Sequence, residues 1–328
     1  MKKNVAVIAG GNSTEYGVSI QSGNHIYSEV DSSRYNKYLM ILKGRDWHVE
    51  LDGNCYPVDK NDFSFVLDGE KIVFDFAYIT IHGNPGENGM LQGYLDMMNI
   101  PYSTCSVLCE AITFDKYTCT NYLNGFGINT THPVMLTRGQ AYDKEAVLAS
   151  VGLPCFVKPN AEGSSFGVSK VKCANAFDDA IEEAFSKCHE ILVESFLDGL
   201  EFTCGLYKVG GRKVVFPVAE VISKNEFFDY EAKYDAKMSD EIIPGRFSDE
   251  ITDKIQNMAS EVYDILRCEG IVRIDGFVCG DEVVMLEVNT TPGMTANSFV
   301  PKMLRVMGVS LRDVITEIIE DKLAKAAR

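Results

Sequence analysis

The chain has 328 residues, too many for one ordinary core, and its 46% hydrophobic and 24% charged residues match a soluble globular protein. Its formal net charge of −16 argues against the basic face that a nucleic-acid binder needs. No run approaches the ~20 apolar residues of a membrane span, and MKKNVAVIAGG lacks the apolar region and cleavage site of an export signal, so a cytoplasmic protein is expected.

In chain order, strands and helices alternate, which predicts an α/β architecture. Residues 4–9 read as a buried strand and 19–30 as the helix after it. Strands are expected at 38–43 and 74–81, and a helix at 90–98. Ile100-Pro101-Tyr102 starts a short connection, so a first domain boundary falls near residue 103. A helix at 115–124 follows, then a strand at 155–158 that opens into a Gly/Ser loop. A helix at 174–188 and a strand at 191–196 come next. Residues 223–248 are polar, aromatic and irregular, with Pro244 and Gly245. A loop of that length in a compact domain is usually functional, and this one is predicted to be a mobile lid. A helix at 248–267, strands at 271–279 and 283–289, and an amphipathic helix at 311–327 complete the chain. The ten cysteines include no Cys-x-x-Cys pair, and Cys155, Cys268 and Cys279 sit singly in apolar stretches. Buried free thiols are expected rather than disulfides or a zinc site.

The pair of strands near the C-terminus carries the strongest chemical signal. With Gly280-Asp281-Glu282 as a three-residue turn, Asp275 falls opposite Glu287 and Arg273 opposite Asn289. The same register collects Val272, Ile274, Val278, Val284, Leu286 and Val288 on the other, buried face. Facing carboxylates repel unless a cation lies between them, and two carboxylates with an amide oxygen suit Mg²⁺. A solvated Arg–carboxylate face is the plainer reading. The Asn289-Thr-Thr-Pro-Gly293 turn that follows counts against it, because its N–H groups can receive an oxyanion beside such a metal.

Three other segments carry weaker signals. Lys158-Pro-Asn-Ala-Glu-Gly-Ser-Ser-Phe-Gly167 can fold over phosphates and is no Walker loop. Glu15, in Gly10-Gly-Asn-Ser-Thr-Glu15-Tyr-Gly-Val-Ser19, suits an ammonium group, and the segment lacks the Rossmann fingerprint. His82-Gly-Asn-Pro-Gly-Glu87-Asn-Gly89 is a glycine-rich turn after a strand. Taken alone, each also suits a plain turn or helix start.

Together and in order, GGNSTEYGVS, HGNPGENG, Asp115-Lys116, LPCFVKPNAEGSSFGVSKV, LVESFLDGLEFT, FDYEAKY and GIVRIDGF with LEVNTTPGMTANSFVP resemble the D-alanine–D-alanine ligases of the ATP-grasp superfamily. The resemblance spans nearly the whole chain. It implies a three-lobed ATP-grasp fold, α/β with α+β character in the ATP-grasp lobes. The expected lobes are an N-terminal substrate lobe at 1–103, a central lobe at 104–199, and a C-terminal lobe at 200–328 with its lid at 223–248.

The resemblance also implies ATP-dependent synthesis of D-alanyl-D-alanine through a D-alanyl phosphate, for peptidoglycan precursors. A relative using D-serine or D-lactate as second substrate is the alternative, and the loop tyrosine Tyr234 favours the dipeptide. Lys116 and Lys158 match phosphate contacts; Glu162, Ser164, Ser165, Phe196 and Lys233 match further ATP contacts. Glu194 and the Leu197 backbone match adenine contacts, and Glu201 the ribose contact. Asp275, Glu287 and Asn289 match the ligands of two Mg²⁺ ions, with Mn²⁺ as a substitute. Arg273 and the Gly293 N–H match oxyanion donors, and Glu15 and His82 match the first substrate's site. Ser298 and Lys233 match contacts near the second substrate or the transferred phosphate. Glu15, Ser164 and Tyr234 match a triad that closes the loop. The sequence departs from the family pattern at Gly17 and Asn88, neither of which is given a chemical role. A homodimer without nucleic-acid or membrane partners is expected.

Overall fold

The computed structural model describes residues 2–161, 163, 167–223 and 239–327. Its first sheet is built on Lys3–Gly10, flanked by parallel Tyr35–Lys43 and Phe76–Ile79. Asp46–Leu51 and Asn54–Pro57 extend it with antiparallel pairing. The unbroken apolar run from Val5 to Ala9 is buried throughout because both faces of the sheet are covered. Val5, Val7 and Ala9 pack with Ile26 of the helix Tyr16–Glu29 and with Val314, Ile315, Ile318 and Ile319 of the C-terminal helix Leu311–Ala326. Ala6 and Ile8 face Phe63, Phe65, Phe74, Leu91 and Leu95. Gly10 turns the chain at φ +105°, where a side chain would strike the Leu42 carbonyl.

The second sheet is antiparallel, in the order Ser169–Val171, Cys155–Pro159, Glu190–Ser195, Val134–Thr137. It has its own core, centred on Val157, Ile191 and Val193 under Phe177, Ile181 and Ala184 of the helix Phe177–Lys187.

The third sheet runs Ser239–Ile242, Ala219–Ser223, Leu200–Val209, Val272–Cys279, Glu282–Asn289, with Arg212–Val215 hairpinned onto Leu200–Val209. One face lies under the helix Asp249–Ile265, which Ser248 caps through the Ile251 N–H. The helices Val107–Phe114 and Lys116–Asn124 share that core through Cys109, Cys119 and Leu123. The other face meets the helix Phe299–Met307 and, through the shared C-terminal helices, the first sheet.

The structure differs from the sequence reading in several elements. Ser239–Ile242 is a strand inside the segment read as irregular. The two C-terminal strands turn through two residues, because Cys279 pairs with Glu282. That shifts the register by one, and Leu286 then forms a bulge opposite Asp275/Gly276 that shifts it back. Arg273 therefore does face Asn289, and Asp275 faces Glu287. Beside the bulge, Met285 is the buried residue, while Leu286 is only half-buried.

Candidate active site

A cavity of about 560 Å³ opens where the first sheet's loops, the helix start at Lys116 and the third sheet meet. Its wall brings together Glu15, His82, Lys116, Arg273, Glu287, Asn289, Gly293 and Ser298 from four stretches far apart in sequence, around 15, 82, 116 and 273–298. Lys158, Glu194 and Asp275 are buried and do not line it. Phe196 and Leu197 are half-buried and Glu201 lies on Leu200–Val209, none of them at the cavity wall. The residues Glu162, Ser164, Ser165, Lys233 and Tyr234, and most of the 223–248 segment, lie outside the described residues.

The third-sheet face is organised around Asp275. Its carboxylate accepts from Arg273 Nε at 2.9 Å and from a second Arg273 nitrogen at 2.8 Å, a bidentate pair. It also accepts from Asn289 Nδ2 at 2.9 Å and Thr203 Oγ1 at 2.5 Å. Burial opposes the charge on Arg273, but Asp275 outweighs it and holds the guanidinium above its ordinary pKa. Because Asn289 gives its amide nitrogen to Asp275, its Oδ1 remains as an oxygen donor next to Glu287 at the cavity wall.

The Thr290–Gly293 turn is anchored from two sides. Thr290 Oγ1 donates to the buried carboxylate of Glu110. From the first helix, His25 Nδ1 contacts the Met294 carbonyl at 2.6 Å and Ser22 Oγ accepts from the Met294 N–H at 3.2 Å. Ser298 is the N-cap residue of Phe299–Met307, and its Oγ accepts from the Thr295 N–H at 3.1 Å. A Cβ on Gly293 would lie 3.0 Å from that Oγ.

On the opposite wall, Gly163 presses against Glu15, and a Cβ there would come within 2.4 Å of Glu15 Oε2. Gly163 of the Gly/Ser loop motif and the first-sheet acid Glu15 therefore meet. Glu87, whose Oε2 accepts from the Gly83 N–H at 2.6 Å, is pushed up to about 8 by burial and by Glu15. Burial pushes the His82 imidazole below its ordinary value, and Glu15 pulls the other way. The imidazole lies 3.4 Å from Ser22 Oγ.

Lys116 and Lys158 are tied to one framework by Asn160. The Asn160 carbonyl accepts from the Lys116 N–H at 3.3 Å, and its Oδ1 accepts from the Tyr117 N–H at 2.9 Å. Its Nδ2 donates to Asp115 Oδ2 at 2.8 Å, and Asp115 also caps the helix through the Thr118 N–H. Lys158 Nζ pairs with Glu194 Oε2 at 2.6 Å, and Thr131 Oγ1 donates to Glu194 Oε1 at 3.2 Å.

Sequence reasoning missed Ser22, His25, Glu110 and Asn160 as positioning residues. Asn160 stood inside the quoted loop motif, and Glu87 inside the quoted turn without a role. Nothing local marks Ser22 and His25, which act on a turn some 270 positions away in the chain.

Family models match in two parts: "D-ala D-ala ligase N-terminus" over residues 4–105 and "D-ala D-ala ligase C-terminus" over residues 122–320. The chain is 52% identical to a D-alanine–D-alanine ligase of Bacteroides fragilis over 324 residues, 98% of this chain and 100% of the relative. It is 47% identical to the D-alanine–D-alanine ligase of Porphyromonas gingivalis, covering 97% of each. A crystal structure of D-alanyl-alanine synthetase A from Vibrio cholerae superposes with a TM-score of 0.89 at 28% identity, over 98% of this chain and 99% of that one. The VanG D-Ala:D-Ser ligase from Enterococcus faecalis superposes with a TM-score of 0.85 at 31% identity, over the same shares.

Proposed function

The chain belongs to the D-alanine–D-alanine ligase family, and from that premise we propose how its residues join two D-alanines into D-alanyl-D-alanine at the expense of ATP. The carboxylate of the first D-alanine takes the γ-phosphoryl group, giving D-alanyl phosphate and ADP. The amine of the second D-alanine attacks the acyl carbon, gives up a proton, and phosphate leaves. The driving force comes from exchanging a carboxylate oxygen, a poor leaving group, for phosphate.

Lys116 and Lys158 neutralise the phosphates, with Glu162, Ser164 and Ser165 on the loop that folds over them. Glu194, Phe196 and the Leu197 backbone hold the adenine, and Glu201 the ribose. Glu15, with His82 beside it, holds the first substrate's ammonium group. Arg273 and the Gly293 N–H receive the oxyanion of the tetrahedral intermediate. Ser298 and Lys233 hold the second carboxylate and the phosphate in transfer. Glu15, Ser164 and Tyr234 join across the closed lid, 223–248, which keeps water from the acyl phosphate.

Glu287 and the Asn289 Oδ1 are hard oxygen donors at the cavity wall that would suit Mg²⁺, and Asp275 on the same strand-pair face would join them as a ligand of two such ions by giving up one of its bonds to Arg273, Asn289 or Thr203. Bound there, the ions offset charge on the transferring phosphoryl group. We assign lobes at 1–103, 104–199 and 200–328, supported by one larger sheet in each, with the small two-stranded sheet of Ser64–Leu67 and Glu70–Val73 in the first. We also assign a homodimer in the cytoplasm, serving peptidoglycan precursor synthesis. Among the described residues no helix is long and apolar enough to cross a membrane.

The observation that carries this reading is the single cavity joining Glu15, Lys116, Arg273 and Glu287. Its test is phosphate release with ATP, Mg²⁺ and D-alanine, with L-alanine as control. Release only with the D-isomer is expected, and equal release with both would reject it. Product analysis with D-serine and D-lactate present is expected to return mainly the D-alanine dipeptide.

A further inference from the structure

Three cysteines meet at a place that the ligation chemistry does not use. Cys105 follows the first lobe, Cys109 lies on Val107–Phe114, and Cys268 lies beyond the helix Asp249–Ile265. All three are buried, and their sulfurs lie within 4.8 Å of one another. Cys109 Sγ and Cys268 Sγ are 3.7 Å apart. Metal–thiolate bonds of about 2.3 Å separate neighbouring sulfurs by about 3.8–4.0 Å, so a cation fits inside this triangle with little movement.

The surroundings limit what the cation can be. The nearby Glu110 carboxylate is already engaged by the Cys105 N–H at 3.0 Å and by Thr290 Oγ1. Besides the other two sulfurs, Cys105 Sγ meets the Glu269 backbone, at 3.3 Å to both its N–H and its carbonyl. Among the described residues no fourth His, Cys or carboxylate ligand groups with the three sulfurs, which leaves zinc one ligand short of its tetrahedral preference. They suit a soft cation of lower coordination number. A disulfide would use two of the sulfurs and leave the third without a role.

We propose that Cys105, Cys109 and Cys268 form a trigonal thiolate site for Cu(I). Binding releases the thiol protons to solvent and needs no oxidant or reductant when the metal is supplied as Cu(I). Cys109 adjoins Glu110, whose carboxylate holds Thr290 next to Asn289, so occupancy has a short route to the catalytic face.

The test uses the full chain, reduced and free of oxygen, competing for Cu(I) with a chromophoric copper chelator. One equivalent should be withdrawn from the chelator, and X-ray absorption should find three sulfurs around the copper. Cys268→Ala and Cys109→Ala should each weaken binding by about 100-fold or more. Cys155→Ala, a buried thiol elsewhere, should not change it. Failure to compete, two-sulfur coordination in the unaltered protein, or full binding by Cys268→Ala would overturn the site. So would Zn²⁺ binding tighter than Cu(I) in the matching zinc-chelator competition. The absorption readout on the unaltered protein stands even if a variant misfolds, and none of these readouts depends on ligase activity.

Discussion

Arg273 pairs with Asp275 and is proposed to receive the oxyanion, two tasks that its position makes inseparable. It neutralises Asp275 through a bidentate pair, and it lines the cavity proposed to hold the reacting groups. Removing one such donor typically costs ~10²–10³ in rate, so Arg273→Ala should lower kcat on that scale. Arg273→Lys should not restore it, because an ammonium cannot make the planar two-point contact. Steady-state kinetics decide this, and an unchanged kcat with only a raised KM for ATP would remove Arg273 from the chemical step. Glu87 is a different case. Held at about 8 against an ordinary 4.5, it is protonated at neutral pH. A carboxyl raised on folding leaves stability intact below about 4.5 and erodes it as pH rises towards 8, since the unfolded chain ionises first. Glu87→Gln, which mimics the neutral acid, should flatten that slope in urea midpoints measured from pH 5 to 9. It should also move any alkaline fall in kcat to higher pH. A variant that keeps the parent's slope would show that Glu87 does not titrate this way.

At the scale of elements, the strand pair proposed to carry the chemistry was legible because a period-two pattern puts Arg273, Asp275, Glu287 and Asn289 on one face, whatever the turn. The turn was not legible. A two-residue turn and a bulge at Leu286 cancel in register, and no local residue type announces a bulge whose purpose is to bury Met285 while keeping Glu287 at the cavity. Val107–Phe114 was missed for a related reason. Its sequence VLCEAITF is apolar on nearly every side, so it gives little amphipathic signal until the third sheet is there to cover it. Asn160 belongs to this scale too, because it couples the strand that carries Lys158 to the helix that begins at Lys116. Asn160→Ala leaves the Tyr117 N–H and Asp115 short of partners, at a cost of about 1–3 kcal/mol. It should raise KM for ATP more than it lowers kcat, since both lysines are proposed to hold phosphates. A variant with normal KM would mean that the two elements keep their places without it.

At the scale of the molecule, the three larger sheets do not make three independent cores. The helix Leu311–Ala326 buries Val314, Ile315, Ile318 and Ile319 in one cluster with Val5 and Val7 of the first sheet and with Tyr207 and Phe216 of the third sheet's lobe. The second sheet encloses its own cluster, which shares no residue with that one. Chain order hides this sharing, because the last helix closes a core that the first strand begins. The two arrangements predict different cooperativity. Ile319 is fully buried, and Ile→Ala in a packed core costs about 2–5 kcal/mol, a large part of the 5–15 kcal/mol that ordinarily holds a domain folded. Ile319→Ala should therefore raise amide exchange in Lys3–Gly10 and in Leu200–Val209 together. Exchange in Cys155–Pro159 and Glu190–Ser195 should stay as in the parent, because the packing around those strands is untouched. If the second sheet loses protection in step with the other two, the molecule unfolds as one unit. The central lobe could then not open and close over a nucleotide without drawing on the stability of the rest.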